Sequence, residues 1–129
     1  MTNPDIQVSA ISEFVPQQSD ASNNRYVYSY TITIKNNSDQ PYQLLSRHWL
    51  IQDGNMKVEE IYGDGVIGEQ PKIKPGDSYS YSSGAVLETD IGTMEGRYFF
   101  KPCFNSESSV EKVEIAIPKF LLSIPRIVH

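Results

Sequence analysis

A short glycine segment carries the most specific chemical pattern in this sequence. It reads Gly63-Asp64-Gly65-Val66-Ile67-Gly68, which is the G-x-G-x-x-G spacing of a turn that binds a dinucleotide pyrophosphate. Such a turn works because a helix begins on it and directs its first N–H groups at the phosphates. Here Pro71 and Pro75 follow closely, and they exclude the first turns of a helix. The pattern therefore predicts a loop between two strands.

Three roles are open for this loop. Its N–H groups could converge on a phosphate, although the charge of Asp64 opposes an anion. The glycines could instead only supply backbone conformations that other residues avoid. The third role is protein contact, for which Val66 and Ile67 offer apolar side chains. We predict a rigid contact loop whose binding residues are Gly63, Asp64, Gly65, Val66, Ile67, Gly68 and Gln70.

Residues that bind metal ions are few and dispersed. The chain has two histidines, His48 and His129. Neither stands at a metal-ligand spacing from Asp53, Asp64 or Asp90, and two imidazoles make a weak set of nitrogen donors. The sequence therefore predicts no metal site and no cofactor.

Nucleophilic catalysis has no recognisable set of residues. The single cysteine, Cys103, allows no intramolecular disulfide and no thiolate cluster. As a nucleophile it would need His48 or His129 as a base, and a small packed thiol is the simpler interpretation. The serines at 46, 82 and 83 fit no Ser-His-Asp order. We predict no catalytic residues and a non-enzymatic protein.

The overall composition limits the classes of partner. The 129 residues carry a net charge of −5, and the 11 Lys and Arg residues form no basic stripe, so we predict no nucleic-acid partner. The N-terminus lacks the regions of a targeting signal, and no apolar run approaches the roughly 20 residues of a membrane span. We expect a cytoplasmic protein without a membrane partner. It should form one domain over residues 1–129, with flexible ends at 1–5 and 124–129.

Alternating apolar residues predict an all-β protein. The strands are expected over 6–15, 26–34, 42–52, 57–62, 72–74, 78–87 and 94–104, with a last strand from about 113 that Pro118 ends. No segment has the capped 3.6-residue repeat of a helix. About seven to eight strands joined by short turns indicate an antiparallel β-sandwich of immunoglobulin or fibronectin-III type.

The strand over 42–52 places side chains on two faces. Its alternation puts Leu45, Trp49 and Ile51 on one face and His48 on the other, with Ser46 and Leu50. Trp49 is predicted in the core, because buried aromatic residues dominate sandwich packing.

Glycines and tyrosines give further expectations. Asp53-Gly54 predicts a tight hairpin turn with positive φ, and Gly84 predicts a bulge or a close backbone approach. Exposed tyrosines are common at protein interfaces, but tyrosine also suits any strand of a small sandwich. The tyrosines expected to face solvent in part are Tyr62, Tyr79 and Tyr81.

Longer motifs along the chain form a combined signature. They are Leu44–Ile51, Asp53-Gly54, the glycine segment with its extension to Pro71, Ile73–Gly76, Tyr79–Gly84 and Gly92–Tyr98. Together they resemble the ApaG family, also called CorD. The resemblance covers the chain from about Asn36 to Pro118.

The resemblance implies a fibronectin-III-like sandwich without helices and says little about mechanism. It links the chain to diadenosine tetraphosphate hydrolase genes and to cobalt and magnesium resistance or efflux. A similar domain is fused to eukaryotic F-box and polymerase-δ-interacting proteins. We therefore expect an interaction module for an unidentified protein partner, with the glycine loop and the tyrosine-rich sheet as its surface. The alternative is a small-ligand binder for pyrophosphate-containing nucleotides or a divalent metal.

Overall fold

The computed structural model describes residues 4–103 and 112–125, which form eight strands. The described residues contain no α-helix, and the two 3-10 turns, Pro16–Gln18 and Ala21–Asn23, are far too short to cross a membrane. The strands are β1 (Ile6–Phe14), β2 (Tyr26–Asn36), β3 (Tyr42–Asp53), β4 (Val58–Asp64), β5 (Lys72–Ile73), β6 (Ser78–Leu87), β7 (Ile91–Pro102) and β8 (Val113–Ser123).

The strands form two antiparallel sheets. The three-stranded sheet has the order β1-β2-β6, and the five-stranded sheet has the order β4-β3-β7-β8, with β5 also paired to β3. Because β7 takes one edge of β3, β4 and β5 share the other. Ser12 of β1 donates a 2.6 Å hydrogen bond to the Leu121 carbonyl of β8, which ties the two sheets together. The predicted all-β antiparallel sandwich is confirmed.

The core lies between the two sheets. The inner face of β2 is buried at Tyr28, Tyr30, Ile32 and Ile34. Trp49 of β3 is also buried, and its ring lies 5.5 Å from the Tyr30 ring and 6.3 Å from the Tyr98 ring. Trp49 therefore packs the sheets against each other, and its predicted core position is confirmed.

A bulge in β3 changes which residues face the core. The pairing of β3 with β7 shifts between Leu44 and Ser46, so Leu45 is an extra residue on β3. Leu44 is fully buried, whereas Leu45 is half-buried. The prediction that Leu45 shares the inner face with Trp49 is wrong, because one inserted residue reverses the alternation on one side of the bulge.

A second bulge lies where β7 pairs with β8. The register shifts between Met94 and Gly96, and Pro118 falls in the irregular part of β8. The strand continues to Ser123, so the prediction that Pro118 ends it is wrong. Proline lacks an N–H donor, and a bulge on an edge strand is a position where this absence breaks no ladder bond.

The hairpin between β3 and β4 is present, but its turn differs from the predicted one. The positive φ of 67° belongs to Met56 and not to Gly54. The Asp53 carboxylate accepts hydrogen bonds from the N–H groups of Asn55 at 2.8 Å and Lys57 at 2.9 Å. The side chain of Asp53 thus organises a longer loop than the Asp-Gly pair predicts.

Gly84 lies in a regular part of β6. It pairs with Ser29 without a register shift, and an added Cβ would meet the Tyr28 carbonyl at an ordinary 3.4 Å. Of the two alternatives predicted at Gly84, the bulge is therefore wrong, and the Tyr28 carbonyl is the backbone group that lies nearest. The expectations for Phe104 and for His129 lie outside the described residues, as do those for the chain ends 1–3 and 126–129.

Candidate functional site

A two-residue turn follows β4 directly, and we call residues 65–69 the glycine hairpin. The backbones of Val66 and Glu69 exchange hydrogen bonds of 2.8 and 2.9 Å. At the tip, Ile67 has a φ of 44° and Gly68 a φ of 80°, and two positive values in sequence are typical of a type I′ turn. This conformation is ordinary for glycine, whereas a β-branched residue rarely adopts it. The backbone at Ile67 is therefore strained.

The bulge of β3 anchors the glycine hairpin. The Leu45 carbonyl accepts one hydrogen bond from the Gly65 N–H at 2.7 Å and another from Gln70 Nε2 at 2.9 Å. Arg47 Nη1 donates to the carbonyls of Asp64 at 3.1 Å and Gly65 at 2.7 Å. These bonds hold the glycine hairpin at the edge of β3 to which β4 is paired.

Two of the loop glycines lie at close approaches, and the one at Gly65, against backbone, requires glycine. A Cβ on Gly63 would lie 2.7 Å from the guanidinium carbon of Arg47. A Cβ on Gly65 would lie 2.2 Å from the Glu69 carbonyl oxygen, and Gly65 has a φ of 61°. The glycine pattern thus serves a compact hairpin next to Arg47. It starts no helix, as the sequence predicts.

The predicted contact residues of the loop point in opposite directions. Val66 is fully buried and belongs to the core, whereas 57% of Ile67 is exposed. The prediction that Val66 offers a surface contact is wrong. The hydrogen-bonded pair of Val66 and Glu69 has strand geometry, and this geometry turns the Val66 side chain into the sandwich.

The N–H groups of the hairpin are mostly in use. Those of Gly65, Val66 and Glu69 donate to backbone carbonyls of the protein. A phosphate cradle needs several convergent free donors, and Asp64 and Glu69 add carboxylates beside this turn. The geometry is therefore poorly suited to a pyrophosphate group.

A second group of interacting side chains covers the outer face of the five-stranded sheet. We call it the histidine cluster, and its members are His48, Glu60, Tyr62, Arg97 and Glu114. His48 is only 5% exposed, because the Tyr62 ring stacks on it with centroids 4.2 Å apart and planes 5° from parallel. Tyr62 itself is 70% exposed, so it presents a ring to solvent.

Hydrogen bonds assign the protons in the histidine cluster. Arg97 Nε donates to His48 Nδ1 at 3.1 Å, so the imidazole proton lies on Nε2 and is donated to Glu60 at 3.0 Å. The same Glu60 oxygen accepts from the Tyr62 hydroxyl at 2.9 Å, and Arg97 pairs with Glu114 at 2.9 Å. Both imidazole nitrogens are therefore engaged in hydrogen bonds within the cluster.

These bonds also shift two pKa values. Hydrogen bonds from His48 and then Tyr62 hold the pKa of the Glu60 carboxyl below its usual range. The bond to Glu60 raises the pKa of the Tyr62 hydroxyl, because ionisation would remove the proton that the hydroxyl donates and would also place a second negative charge beside the carboxylate. The cluster thus favours a charged carboxylate beside a neutral, exposed phenol.

The alternation along β3 predicts that His48 and Trp49 lie on opposite faces, but it does not identify the partners of His48. The register of the β3–β4 hairpin identifies one of these partners. Residues Asp53 and Lys57 close the β3–β4 hairpin, and counting back from that pair puts His48 opposite Tyr62. Arg97 lies opposite His48 on the other side, but a distant strand pairing has no comparable local signal.

Comparison with known proteins decides the family. The sequence model of the ApaG domain matches residues 16–102. The chain belongs to the ApaG family. A Protein ApaG of Aromatoleum aromaticum is 51% identical over 96% of this chain and 94% of its own length. A Protein ApaG of Ralstonia nicotianae is 40% identical over the full length of both chains.

A solved structure gives the same result for the fold. The crystal structure of an ApaA protein from Bordetella pertussis superposes with a TM-score of 0.88 at 42% identity, covering 97% of this chain and 98% of that one. The names of these ApaG relatives specify no enzymatic activity. Family membership therefore establishes the architecture, whereas the function has to be inferred from the surface residues.

The remaining predicted residues of this ApaG chain divide between surface and core. Tyr79 is half-buried and donates to Glu69 at 3.2 Å. Tyr81 is buried, and its hydroxyl hydrogen-bonds that of Tyr98, so the prediction that Tyr81 faces solvent is wrong. Burial raises the pKa values of both hydroxyls in this pair. In residues 4–103 and 112–125, no three His, Cys, Asp or Glu side chains could hold a metal ion together.

Proposed function

We propose that this ApaG chain is a non-enzymatic protein-interaction module that contacts its partner at the five-stranded sheet. The contact residues are Ile67 at the tip of the glycine hairpin and Tyr62 on β4. Two other residues of the predicted contact loop have supporting roles: Gly63 leaves room for the Arg47 guanidinium, and Gly65 allows the turn to close against the Glu69 carbonyl. Val66 belongs to the core and is not part of the proposed contact.

The observation that carries the proposal is the combination of strain and exposure at Ile67. Its backbone has a φ of 44°, which costs a β-branched residue roughly 1–2 kcal/mol. Its side chain is 57% exposed, so it gains little from burial. Asparagine would suit this turn position better. A residue that is unfavourable for both reasons is explained by a contact made outside the folded chain.

Tyr62 supports the same surface from the neighbouring strand. Its ring is held parallel to His48 and its hydroxyl is bound to Glu60, so an exposed aromatic group is kept in one orientation. Rigid, partly solvated tyrosines are frequent anchors of protein interfaces, because little side-chain entropy is lost on binding.

Site-specific photo-cross-linking tests this proposal. Benzoylphenylalanine is introduced at position 62 or 67, and irradiation in an extract of the source cells should join the chain to one defined protein. The same probe at Thr31, on the outer face of the three-stranded sheet, is the control. The variant Ile67→Asn should retain the fold and reduce capture by the probe at position 62.

Two results would contradict the proposal. One is equal capture of the same proteins at positions 31, 62 and 67, which would indicate non-specific contact. The other is capture that Ile67→Asn leaves unchanged. A saturable response of the hairpin amides to ATP or diadenosine tetraphosphate would instead support the alternative of a nucleotide-binding loop.

A further inference from the structure

The outer edge of β4 is not paired by any described strand. The strand bonds to β3 along one side, over register pairs from Ser46–Asp64 to Gln52–Val58, and it ends the order of the five-stranded sheet. Its residues from Val58 to Glu60 are all exposed. An edge of this kind presents backbone N–H and C=O groups on which another chain can form a strand.

Two hydrogen bonds at the ends of the β3–β4 pair identify the outward groups. The Asp53 N–H donates to the Lys57 carbonyl, and the Gly65 N–H donates to the Leu45 carbonyl. Bonded and non-bonded pairs alternate along an antiparallel ladder. The backbones of residues 59, 61 and 63 therefore face β3, and those of Val58, Glu60 and Tyr62 face outward.

The edge is strongly acidic. The segment Val58–Asp64 contains Glu59, Glu60 and Asp64 and has no lysine or arginine. The neighbouring Lys57 is held by Glu88 at 3.0 Å. A partner segment with positive side chains would be complementary to this charge, and the exposed Tyr62 ring can accept the alkyl stems and charges of such side chains.

The same charges disfavour a second copy of this chain as the occupant. Two β4 strands paired with each other would bring the carboxylates of Glu59 and Glu60 close to their own counterparts. Like charges opposed across a strand pair are destabilising, and edge charges are a common means of preventing such self-association.

We propose that an extended basic segment of the partner adds to the edge of β4 as a further strand of the five-stranded sheet. This inference rests on the proposed function and specifies how the partner is held. The backbone groups of Val58, Glu60 and Tyr62 supply main-chain hydrogen bonds. The carboxylates select for lysine or arginine, and Ile67 contributes an apolar contact beyond the end of the strand.

Synthetic peptides test the inference without a known partner. The probe is an octapeptide of alternating lysine and valine, and its matched control is the same peptide with every backbone nitrogen methylated. The control keeps the charges and side chains but cannot donate main-chain hydrogen bonds. A third peptide replaces lysine with glutamate.

Amide hydrogen exchange on the full chain supplies the readout. With the lysine peptide at about ten times its Kd, exchange at Val58, Glu60 and Tyr62 should slow roughly tenfold. Glu59 and Ile61 already bond to β3, so their exchange should change little. The methylated and glutamate peptides should give no protection.

A protein variant checks the same geometry. Val58→Pro removes one outward N–H and no bond to β3. It should therefore weaken the binding of the lysine peptide about fivefold, the equivalent of one hydrogen bond. Val58→Thr keeps the N–H and should bind like the parent chain. Circular dichroism and melting of both variants confirm that each is folded before binding is compared.

The possible failures are distinguishable. Absence of protection at Val58, Glu60 and Tyr62 overturns strand addition, as does equal protection by the methylated peptide. If photo-cross-linking at positions 62 and 67 still captures one defined protein, the proposed function stands and only the strand-addition geometry is wrong. Failure of both experiments removes the interaction site altogether.

Discussion

The two outer faces of the sandwich are built from different side chains. On the three-stranded sheet, Thr31 pairs with Ser82 at 2.7 Å and Thr33 with Ser80 at 2.9 Å. We call these four residues the hydroxyl face. On the five-stranded sheet, the histidine cluster joins charged and aromatic side chains across three strands and into β8. The first face satisfies its polar groups in local pairs, whereas the second holds an exposed ring in place.

Exposure alone does not separate the two faces. Ile11 lies on the outer side of the three-stranded sheet and is 74% exposed, more than Ile67. The difference is in the backbone, because Ile67 has a positive φ and Ile11 lies in a regular strand. Single exposed apolar residues are normal on soluble proteins. The two isoleucines are therefore both exposed, and backbone strain is what distinguishes Ile67.

The largest expected difference concerns two glycines. Gly65→Ala should destabilise the chain by about 2–3 kcal/mol, because it forces a side chain into positive φ and against the Glu69 carbonyl. Gly84→Ala, in the sheet that carries the hydroxyl face, should stay within about 0.5 kcal/mol of the parent. Urea unfolding measures both. Similar losses of stability at the two positions would contradict the expected difference between the glycine hairpin and the three-stranded sheet.

Removal of the central residue of each face is the next test. His48→Ala should cost about 1–3 kcal/mol, since it leaves Arg97 and Glu60 without their shared partner. Thr31→Ala removes one of the hydroxyl pairs and should cost no more than about 0.5 kcal/mol. Thermal melting of the two variants gives the difference. An equal, small effect would show that the histidine cluster contributes no more than the hydroxyl face.

A stabilising substitution follows from the strain at Ile67. Ile67→Asn creates the Asn-Gly sequence that type I′ turns favour, and it should raise the free energy of unfolding by about 1 kcal/mol. Ile11→Asn removes a similar exposed side chain from unstrained backbone and should change stability by less than about 0.5 kcal/mol. A loss of stability in Ile67→Asn would refute the strain on which the proposed contact depends.

The smallest expected effect is a change in pH dependence. The pKa of Glu60 is lowered in the folded chain, so its contribution to stability is present above its ordinary value of 4.5 and is lost as pH falls through the lower folded value. Glu60→Gln should therefore reduce the loss of stability between neutral pH and acid. Glu13→Gln, which removes a carboxylate from the outer side of the three-stranded sheet, is the charge-matched control. Denaturant titrations at several pH values measure the slopes.

The sequence predicts the strands of this fold well because its alternation is regular over most of them. The core position of Trp49 follows directly from that alternation, and the buried residues of β2 from Tyr28 to Ile34 have the same period of two. The wrong predictions for Leu45 and Pro118 lie at the two bulges, where one strand of a pair contains an extra residue. Nothing in the pattern of Leu44 and Leu45 shows which of the two enters the core, and nothing around Pro118 shows that β8 continues past it.

The candidate site was only partly predictable for a similar reason. The glycine spacing and the two prolines exclude a helix, and they are sufficient to locate the hairpin. Val66 and Ile67 point in opposite directions because Val66 is the last paired residue before the turn and Ile67 is the first residue of the turn. The spacing of the glycines does not show where the turn begins. The burial of His48 depends on partners from β4 and β7, and only the sheet register brings those residues together.

The hydrogen bonds that Leu45 and Arg47 make to residues 64–70 have a consequence for the speed of recognition. Ordering a flexible segment costs roughly 1–2 kcal/mol of backbone entropy per residue, and here that cost is met during folding. The hairpin is therefore preorganised before a partner arrives. Association should then be governed by diffusional encounter and by the acidic charge of the edge, so its rate should fall with ionic strength for a basic partner.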